Sequence, residues 1–268
     1  MSDVPRLFGR LWERLWKRLQ QLWVVLGLDQ ERCVHCLAPV DLGLDAAPEL
    51  GPGGPRAPLC HLCAPHFAPD LGPRCPHCGE PGPYADKILC PQCQGRERGW
   101  DSVRFWGLYE GWLRDALLRF KFDNELAQGP FLAACLLQAS QCLPRPDVLL
   151  AIPQHRSRLR KRGCNHAHEL AKHLARQGGF TVDPWLLKRV RQGPLQHTLS
   201  GQARRTNLAG AFEAAPAVQG RTVWLVDDIM TTGSTLAAAA QALKAAGAAR
   251  VDCLVVARTA REQADVLP

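Results

Sequence analysis

The segment 223–235 constrains the fold of this chain more than any other sequence feature. It reads V-W-L-V-D-D-I-M-T-T-G-S-T, and an alanine-rich stretch, residues 236–246, follows it before Gly247. The apolar residues 223–226 predict a buried strand closed by two carboxylates, and the alanine-rich stretch predicts a helix that ends at Gly247. The sequence therefore predicts a strand, an acidic pair, a short polar loop and a helix in immediate succession.

This succession suits the binding of a sugar phosphate. Open α/β sheets bind ligands at the carboxyl ends of their strands, where Asp227 and Asp228 would accept hydrogen bonds from ribose hydroxyls. The amides of a helix N-terminus suit a phosphate, and Gly233 lets the backbone approach it closely. The side chains that would add hydrogen bonds to the phosphate are all hydroxyls: Thr231, Thr232, Ser234 and Thr235. The alternative is an acidic strand end before an ordinary helix cap, although a cap rarely needs two acids and four hydroxyls.

The chain has twelve cysteines, and eight of them form four C-x-x-C pairs in its N-terminal third. The pairs are Cys33/Cys36, Cys60/Cys63, Cys75/Cys78 and Cys90/Cys93. Because no secretory signal is visible, metal binding is favoured over disulfides. Four thiolates bind one Zn²⁺ tetrahedrally, so eight predict two structural zinc sites; sequential pairing is favoured and a crossed arrangement stays open. The remaining cysteines, Cys135, Cys142, Cys164 and Cys253, are predicted to be small buried hydrophobes.

Positive charge is concentrated in one tract of the chain. The formal net charge is +8, and between Gln154 and Arg205 twelve Lys or Arg residues stand against two acids, Glu169 and Asp183. Such a density predicts a polyanionic partner: a phosphate, a pyrophosphate or a nucleic acid. A solvated basic surface is the alternative.

Three regions follow one another along the chain. Residues 1–30 predict an amphipathic helix, whose apolar face over residues 5–28 would contact a membrane surface, a partner protein or this protein itself. Residues 31–98 carry the cysteine pairs. Residues 99–268 alternate between predicted strands and helices, which indicates an α/β domain with a parallel sheet. No apolar run reaches membrane-spanning length and no signal peptide is visible, so we expect a cytoplasmic protein, with peripheral attachment to the inner face of the membrane as an alternative.

The predicted elements of the third region are short. Strands are predicted over residues 103–109, 148–152 and 251–257, in addition to the strand at 223–226. Helices are predicted over residues 112–121, 126–142 and 169–176, in addition to the helix at 236–246.

Several segments resemble known proteins. Residues 223–235 resemble the signature with which type I phosphoribosyltransferases bind phosphoribosyl pyrophosphate (PRPP). Together with the cysteine pairs, three further segments resemble the ComF/ComFC/GntX family, which is linked to competence for DNA uptake. They are Y-E-G-W-L-R at 109–114 followed by Arg119-Phe-Lys-Phe122, the basic stretch 158–167, and a pattern made by Gln196, Leu199, Ser200, Arg204, Arg205, Asn207, Ala211 and Phe212. The resemblance covers roughly residues 31–260 in the family's order.

The resemblance implies a type I phosphoribosyltransferase-like parallel sheet flanked by helices, preceded by a double zinc ribbon. It implies transfer of ribose 5-phosphate from PRPP with Mg²⁺: Asp227 and Asp228 would hold the ribose, and residues 231–235 would hold the 5-phosphate. The basic residues Arg158, Arg160, Lys161 and Arg162 would contact pyrophosphate or nucleic acid. The family's R-G-F-N-Q reads Arg162-Gly-Cys-Asn-His166 here, so the resemblance supports ligand binding more directly than turnover. No catalytic residue is assigned. The alternative is a non-catalytic protein of the same fold that binds single-stranded DNA or acts as an adaptor.

Overall fold

The protein is described by a computed structural model over part of its length. The described residues are 32–40, 59–67, 72–75, 77–84, 88–91, 93–95, 98–122, 126–154, 159–160, 163–191 and 210–259. The predicted N-terminal helix, residues 1–30, lies outside them, so its role stays a prediction. Within the described ranges no helix is both long and apolar enough to cross a membrane.

The chain forms two compact units. One comprises Met1–Pro48 with Pro58–Pro65, and the other Glu49–Ala57 with His66–Pro268. The first two cysteine pairs therefore belong to the first unit, and the last two pairs belong to the second. The boundaries expected at residues 30 and 98 stay predictions.

A four-stranded parallel sheet forms the centre of the second unit, and its strand order is β1-β6-β5-β2. In chain order, the strands and helices are β1 (Ser102–Leu108), α1 (Gly111–Phe122), α2 (Gly129–Ala139), β2 (Val148–Ala151), α3 (His166–Gly178), β3 (Leu187–Arg189), β4 (Phe212–Ala214), β5 (Thr222–Met230), α4 (Ser234–Ala245) and β6 (Arg250–Arg258). Strands β3 and β4 form a separate antiparallel pair. Short 3-10 turns lie at Ala64–Phe67, Leu126–Gln128 and Pro216–Val218.

Both faces of the parallel sheet are covered, as the largely apolar sequence of its strands requires. On one face, Leu225 of β5 and Val255 of β6 share a buried cluster with Leu236 and Leu243 of α4. Helices α2 and α3 pack against each other and against the sheet. Trp224 precedes Leu225 in β5, so its side chain lies on the opposite face of the sheet. Its ring contacts the ring of Phe180, the second residue after α3, edge to face at 5.0 Å between ring centroids.

The predicted parallel α/β sheet is confirmed, and its predicted elements agree with the structure to within a few residues. One difference matters for function: β5 does not end at the two carboxylates but continues to Met230. Asp227 and Ile229 remain in parallel register with Val255 and Ala257 of β6, so the pairing carries the strand through the acidic pair. The pair β3–β4 was not predicted, because two three-residue strands give too little alternation to be read from sequence.

The helix predicted over 126–142 is shorter in the structure. The segment opens with a 3-10 turn, and α2 then runs only from Gly129 to Ala139 with Pro130 in its first turn, where a proline needs no backbone donor. Cys142 lies beyond the end of α2 and is exposed, so its predicted burial is wrong. Cys135 and Cys253 are buried as predicted, and Cys164 is partly buried.

Candidate functional site

The two carboxylates lie near the carboxyl end of β5, a central strand of the sheet. The Asp228 amide donates a hydrogen bond to Asp227 Oδ1 at 2.9 Å, and the Ile229 amide donates one to Asp228 Oδ1 at 2.7 Å. Asp228 is buried and Asp227 is partly buried. The backbone thus fixes both side chains at the sheet edge where α/β folds bind ligands.

Lys121 approaches the acidic pair from the last turn of α1. Its Nζ lies 2.9 Å from Asp228 Oδ1, and only 15% of the lysine side chain and 12% of the aspartate side chain are exposed. This contact was not predicted, although Lys121 belongs to one of the segments that carry the family resemblance. The available signal was a lysine in the stretch Arg119-Phe-Lys-Phe122. That stretch alone did not indicate which residue the lysine would contact.

The pKa of Asp227 is shifted from its ordinary value. Burial, together with the negative charge of neighbouring Asp228, raises the pKa of Asp227 to about 7. The positive charges of Lys121 and Arg189 oppose this rise. A carboxyl group with a pKa near neutrality can exist in either protonation state in the cell, which is common at functional sites.

We call residues 231–235, which the sequence predicts to bind phosphate, the phosphate loop; residues 231–233 join β5 to α4, and residues 234–235 open the helix. Gly233 is the residue that caps α4, in the left-handed conformation with a φ of 74°, and no side chain caps the helix there. Thr232 Oγ1 lies 3.0 Å from Ser234 Oγ, and the Ser234 amide donates to Thr232 Oγ1 at 3.4 Å. Thr231 is exposed, whereas Thr232, Ser234 and Thr235 are half-buried. The loop therefore offers hydroxyls and an uncapped helix N-terminus beside the carboxylates.

The other residues expected at the site are described only in part. Arg160 is exposed, and Arg158, Lys161 and Arg162 lie outside the described residues. Their role with pyrophosphate or nucleic acid therefore stays a prediction. Asn165, from the same stretch, donates from Nδ2 to the Ile152 carbonyl at 3.0 Å and so ties the start of α3 to the end of β2.

The eight paired cysteines form two tetrads. In the first tetrad, Cys33, Cys36, Cys60 and Cys63, and in the second, Cys75, Cys78, Cys90 and Cys93, the Sγ atoms lie within 4.8 Å of one another. The sequential grouping is therefore confirmed. Two of the Sγ–Sγ distances are 3.7 Å and 3.6 Å, and four sulfurs about 2.3 Å from a tetrahedral Zn²⁺ would lie about 3.8 Å apart. Each tetrad could hold zinc.

The two tetrads begin with the same backbone hairpin. Arg32 pairs with Pro39 in the first hairpin as Arg74 pairs with Pro81 in the second. The third residue after Cys33 and after Cys75 is again a cysteine, and the residue after that is left-handed in both: Leu37 in the first hairpin and Gly79 in the second. The structure thus shows a repeated unit behind the repeated cysteine spacing.

Comparison with known proteins agrees with this geometry. The family model described as "Phosphoribosyl transferase domain" matches residues 159–267. The DNA utilization protein YhgH of Salmonella typhi is 33% identical over 207 residues, which cover 75% of this chain and 90% of that protein. Competence protein F of Haemophilus influenzae is 30% identical over 236 residues, which cover 85% of this chain and 96% of that protein.

The chain belongs to the competence protein F family. Competence protein ComFC of Bacillus subtilis is a further relative, 28% identical over 205 residues that cover 73% of this chain and 81% of that protein. The resemblance to the ComF family and the phosphoribosyltransferase-like fold are both confirmed.

The raised pKa of Asp227 predicts a pH dependence of stability. The folded protein keeps this proton up to a pH of about 7, whereas the unfolded chain loses it at a pH of about 4, so stability falls as the pH rises between these values. Asp227→Asn cannot ionise, so we expect it to raise the melting temperature by several degrees at a pH of about 8 and by much less at a pH of about 5. Thermal unfolding across this pH range measures the difference.

Asp115→Asn is the control for this measurement. It removes an exposed acid of α1 away from the Asp227–Asp228 pair, so it should give no stabilisation at alkaline pH. An Asp227→Asn curve parallel to that of the unsubstituted protein at every pH would contradict the prediction.

The two tetrads predict a metal content. We expect two Zn²⁺ per purified chain, and one in either Cys63→Ser or Cys93→Ser, because each serine removes one of four thiolates from a different tetrad. Elemental analysis of the purified proteins gives the stoichiometry directly. Cys142→Ser, which changes an exposed cysteine outside both tetrads, should keep both ions. One ion shared by all eight cysteines would contradict the assignment.

Proposed function

We propose that the chain binds PRPP, or a related ribose phosphate, together with Mg²⁺ at the carboxyl edge of the parallel sheet. The observation that carries the proposal is the placement of Asp227 and Asp228 at the end of β5, with two residues between them and the phosphate loop that leads into α4. Two carboxylates accept hydrogen bonds from vicinal ribose hydroxyls, and the loop and helix end accept a 5-phosphate. The match to a phosphoribosyl transferase domain supports the same ligand class.

The charges around the pocket support an anionic ligand. Lys121 contacts Asp228 directly, and Arg189 is close enough to Asp227 to act on its pKa. These cations reduce the repulsion between two adjacent carboxylates and leave positive charge beside the ribose position. A pyrophosphate attached at C1 of the ribose would meet this charge, and the basic residues 158–162 would add to it.

Transfer of the ribose 5-phosphate to a nitrogen nucleophile is the reaction that this binding mode would serve. Asp227 and Asp228 would orient the ribose, and the distant phosphate contacts would position the reacting carbon without touching it. Mg²⁺ bound with the substrate would neutralise the pyrophosphate leaving group. The chain's own contribution is chiefly electrostatic stabilisation of an oxocarbenium-like transition state. No general base is assigned. His166, which lies in the segment that resembles the family, is buried against Phe120 and so belongs to the core.

The cysteine tetrads have a structural role in this proposal. Each would hold one Zn²⁺ as a closed site with four protein ligands, which leaves no position for a substrate. Zinc would cross-link the segments of each tetrad, and in the second tetrad the buried cluster consists of the four cysteines themselves.

The binding proposal predicts the behaviour of one double variant. Asp227→Asn/Asp228→Asn removes both charged acceptors, so we expect the Mg²⁺-dependent affinity for PRPP to fall by at least about a hundredfold, since hydrogen bonds to charged groups contribute roughly 1.5–3 kcal/mol each. Calorimetric titration with PRPP and Mg²⁺ measures the change. Asp115→Asn is the control, because Asp115 is an exposed acid on α1. Full affinity in the double variant would refute the ribose assignment. In the unsubstituted protein, pyrophosphate release with a panel of nucleobases tests for turnover.

Single-stranded DNA handling is a second candidate function. The names of the relatives, DNA utilization protein and competence protein, favour it, as does the excess of basic residues between Gln154 and Arg205. Binding of single-stranded DNA would place the chain in DNA uptake, whereas binding of a ribose phosphate alone would place it in nucleotide metabolism. An adaptor role, with a protein or membrane partner at residues 5–28, rests on the sequence pattern alone.

The DNA candidate predicts a steep salt dependence. Replacing Arg158, Arg160, Lys161 and Arg162 together by Ala should weaken binding of a single-stranded oligonucleotide and lower the slope of log affinity against log salt by roughly 0.7 for each phosphate that the variant no longer neutralises. Fluorescence anisotropy over a salt series measures both quantities. Arg114→Ala, which removes an exposed arginine of α1, is the control. An affinity independent of salt would exclude this function.

A further inference from the structure

We propose that Trp100 and Arg98 couple the second cysteine tetrad to the phosphate loop, so that the loop keeps its ligand-binding shape only while metal closes that tetrad. The inference rests on the proposed binding of a ribose phosphate at this loop. We call Trp100 and Arg98 the loop support. Both residues precede β1 and lie outside residues 159–267, which match the phosphoribosyl transferase domain.

Trp100 contacts the second tetrad through its indole nitrogen. The Nε1–H group donates a hydrogen bond to the His77 carbonyl at 3.2 Å, and His77 lies between Cys75 and Cys78. The ring centroids of Trp100 and His77 are 6.1 Å apart. Trp100 is only 4% exposed, so water does not replace this carbonyl readily if the hairpin moves.

The opposite edge of the Trp100 indole lies beneath the phosphate loop. A Cβ built on Gly233 would lie 3.1 Å from Trp100 Cη2 and 3.4 Å from Met230 Sδ. Gly233 holds a φ of 74° at the start of α4, and this conformation directs the first amides of the helix. A shift of the indole would therefore remove the surface against which Gly233 packs.

Arg98 joins the same indole to the loop backbone. Its guanidinium carbon lies 5.4 Å from the centre of the Trp100 ring, and its Nη1 donates to the Thr232 carbonyl at 3.4 Å. The arginine thus fixes the peptide unit between Thr232 and Gly233 and brings a positive charge to a loop that would bind a dianion.

A second connection runs from the same hairpin to the end of the sheet. Glu80, two residues after Cys78, forms a buried ion pair with Arg258 at the end of β6. Arg258 is in register with Met230, the last residue of β5, and the Met230 carbonyl accepts the Thr259 amide at 3.0 Å. The second tetrad therefore contacts both the phosphate loop and the strand end that leads into it.

The conformation of the second tetrad depends on its metal. Its four buried cysteines form their own cluster, and the partly buried hydrophobic residues that pack against this cluster in the described part of the chain are Tyr84 and Leu89. So small an apolar core does not fold without the metal. Loss of metal would release the His77 carbonyl, which accepts the hydrogen bond from Trp100, and Glu80, which pairs with Arg258 at the end of β6.

Trp100→Phe tests the coupling without touching a metal ligand. It removes the donor to His77 and also the benzo edge, with Cη2, that lies beneath Gly233. We expect both zinc ions to remain and the affinity for PRPP and Mg²⁺ to fall by at least about three- to tenfold, the loss expected for one hydrogen bond. Arg98→Gln should act in the same direction. Arg74→Gln is the control, because Arg74 belongs to the same hairpin but lies over Phe105. Unchanged affinity in both test variants would overturn the proposal.

Amide hydrogen exchange of residues 230–237 tests the coupling without any ligand. Cys93→Ser opens the second tetrad and should speed exchange in this segment several-fold, whereas Cys63→Ser opens the first tetrad and should leave it unchanged. Equal exchange in both variants would overturn the coupling. If Cys93→Ser does not fold, exchange in Trp100→Phe gives the same information. If the unsubstituted chain binds no ribose phosphate, the proposed function fails while this measurement still decides whether the coupling exists.

Discussion

The parallel pairing of β5 with β2 and β6 is the constraint on which the rest of the structure depends. A central parallel strand must be covered on both faces, which requires the apolar sequence of residues 223–226 and the helices that pack on it. It must also end at the same edge as its neighbours. The carboxylates, the phosphate loop and the start of α4 are therefore brought together by the pairing itself.

The arrangement of the candidate site could be predicted from the sequence because its parts are local. The acids, the hydroxyls and the helix N-terminus are consecutive in the chain, so strand and helix periodicity places them without knowledge of distant contacts. The cysteine tetrads were predictable for a similar reason, since each C-x-x-C pair is local and the two pairs of a tetrad are neighbours in sequence.

The contacts that were missed join residues far apart in the chain. Arg98 and Thr232 are separated by 134 positions, and no periodicity relates them. Lys121 meets Asp228 only because α1 packs so that its last turn reaches the end of β5. The end of β5 was likewise misplaced, because its length depends on the partner strand β6 and not on its own composition. Local signals thus determined the chemistry of the site, and long-range packing determined its electrostatics and support.

The repeated hairpin has a consequence for how this chain can change. Gly79 approaches the Phe105 ring so closely that a built Cβ would lie 2.2 Å from Phe105 Cε1, whereas Leu37, at the same place in the first hairpin, is 66% exposed. The left-handed backbone at Leu37 costs some stability but meets no obstacle. The two hairpins are therefore not interchangeable: at this position the second tolerates only glycine because Phe105 lies against it, whereas the first presents an exposed side chain that other residues could replace.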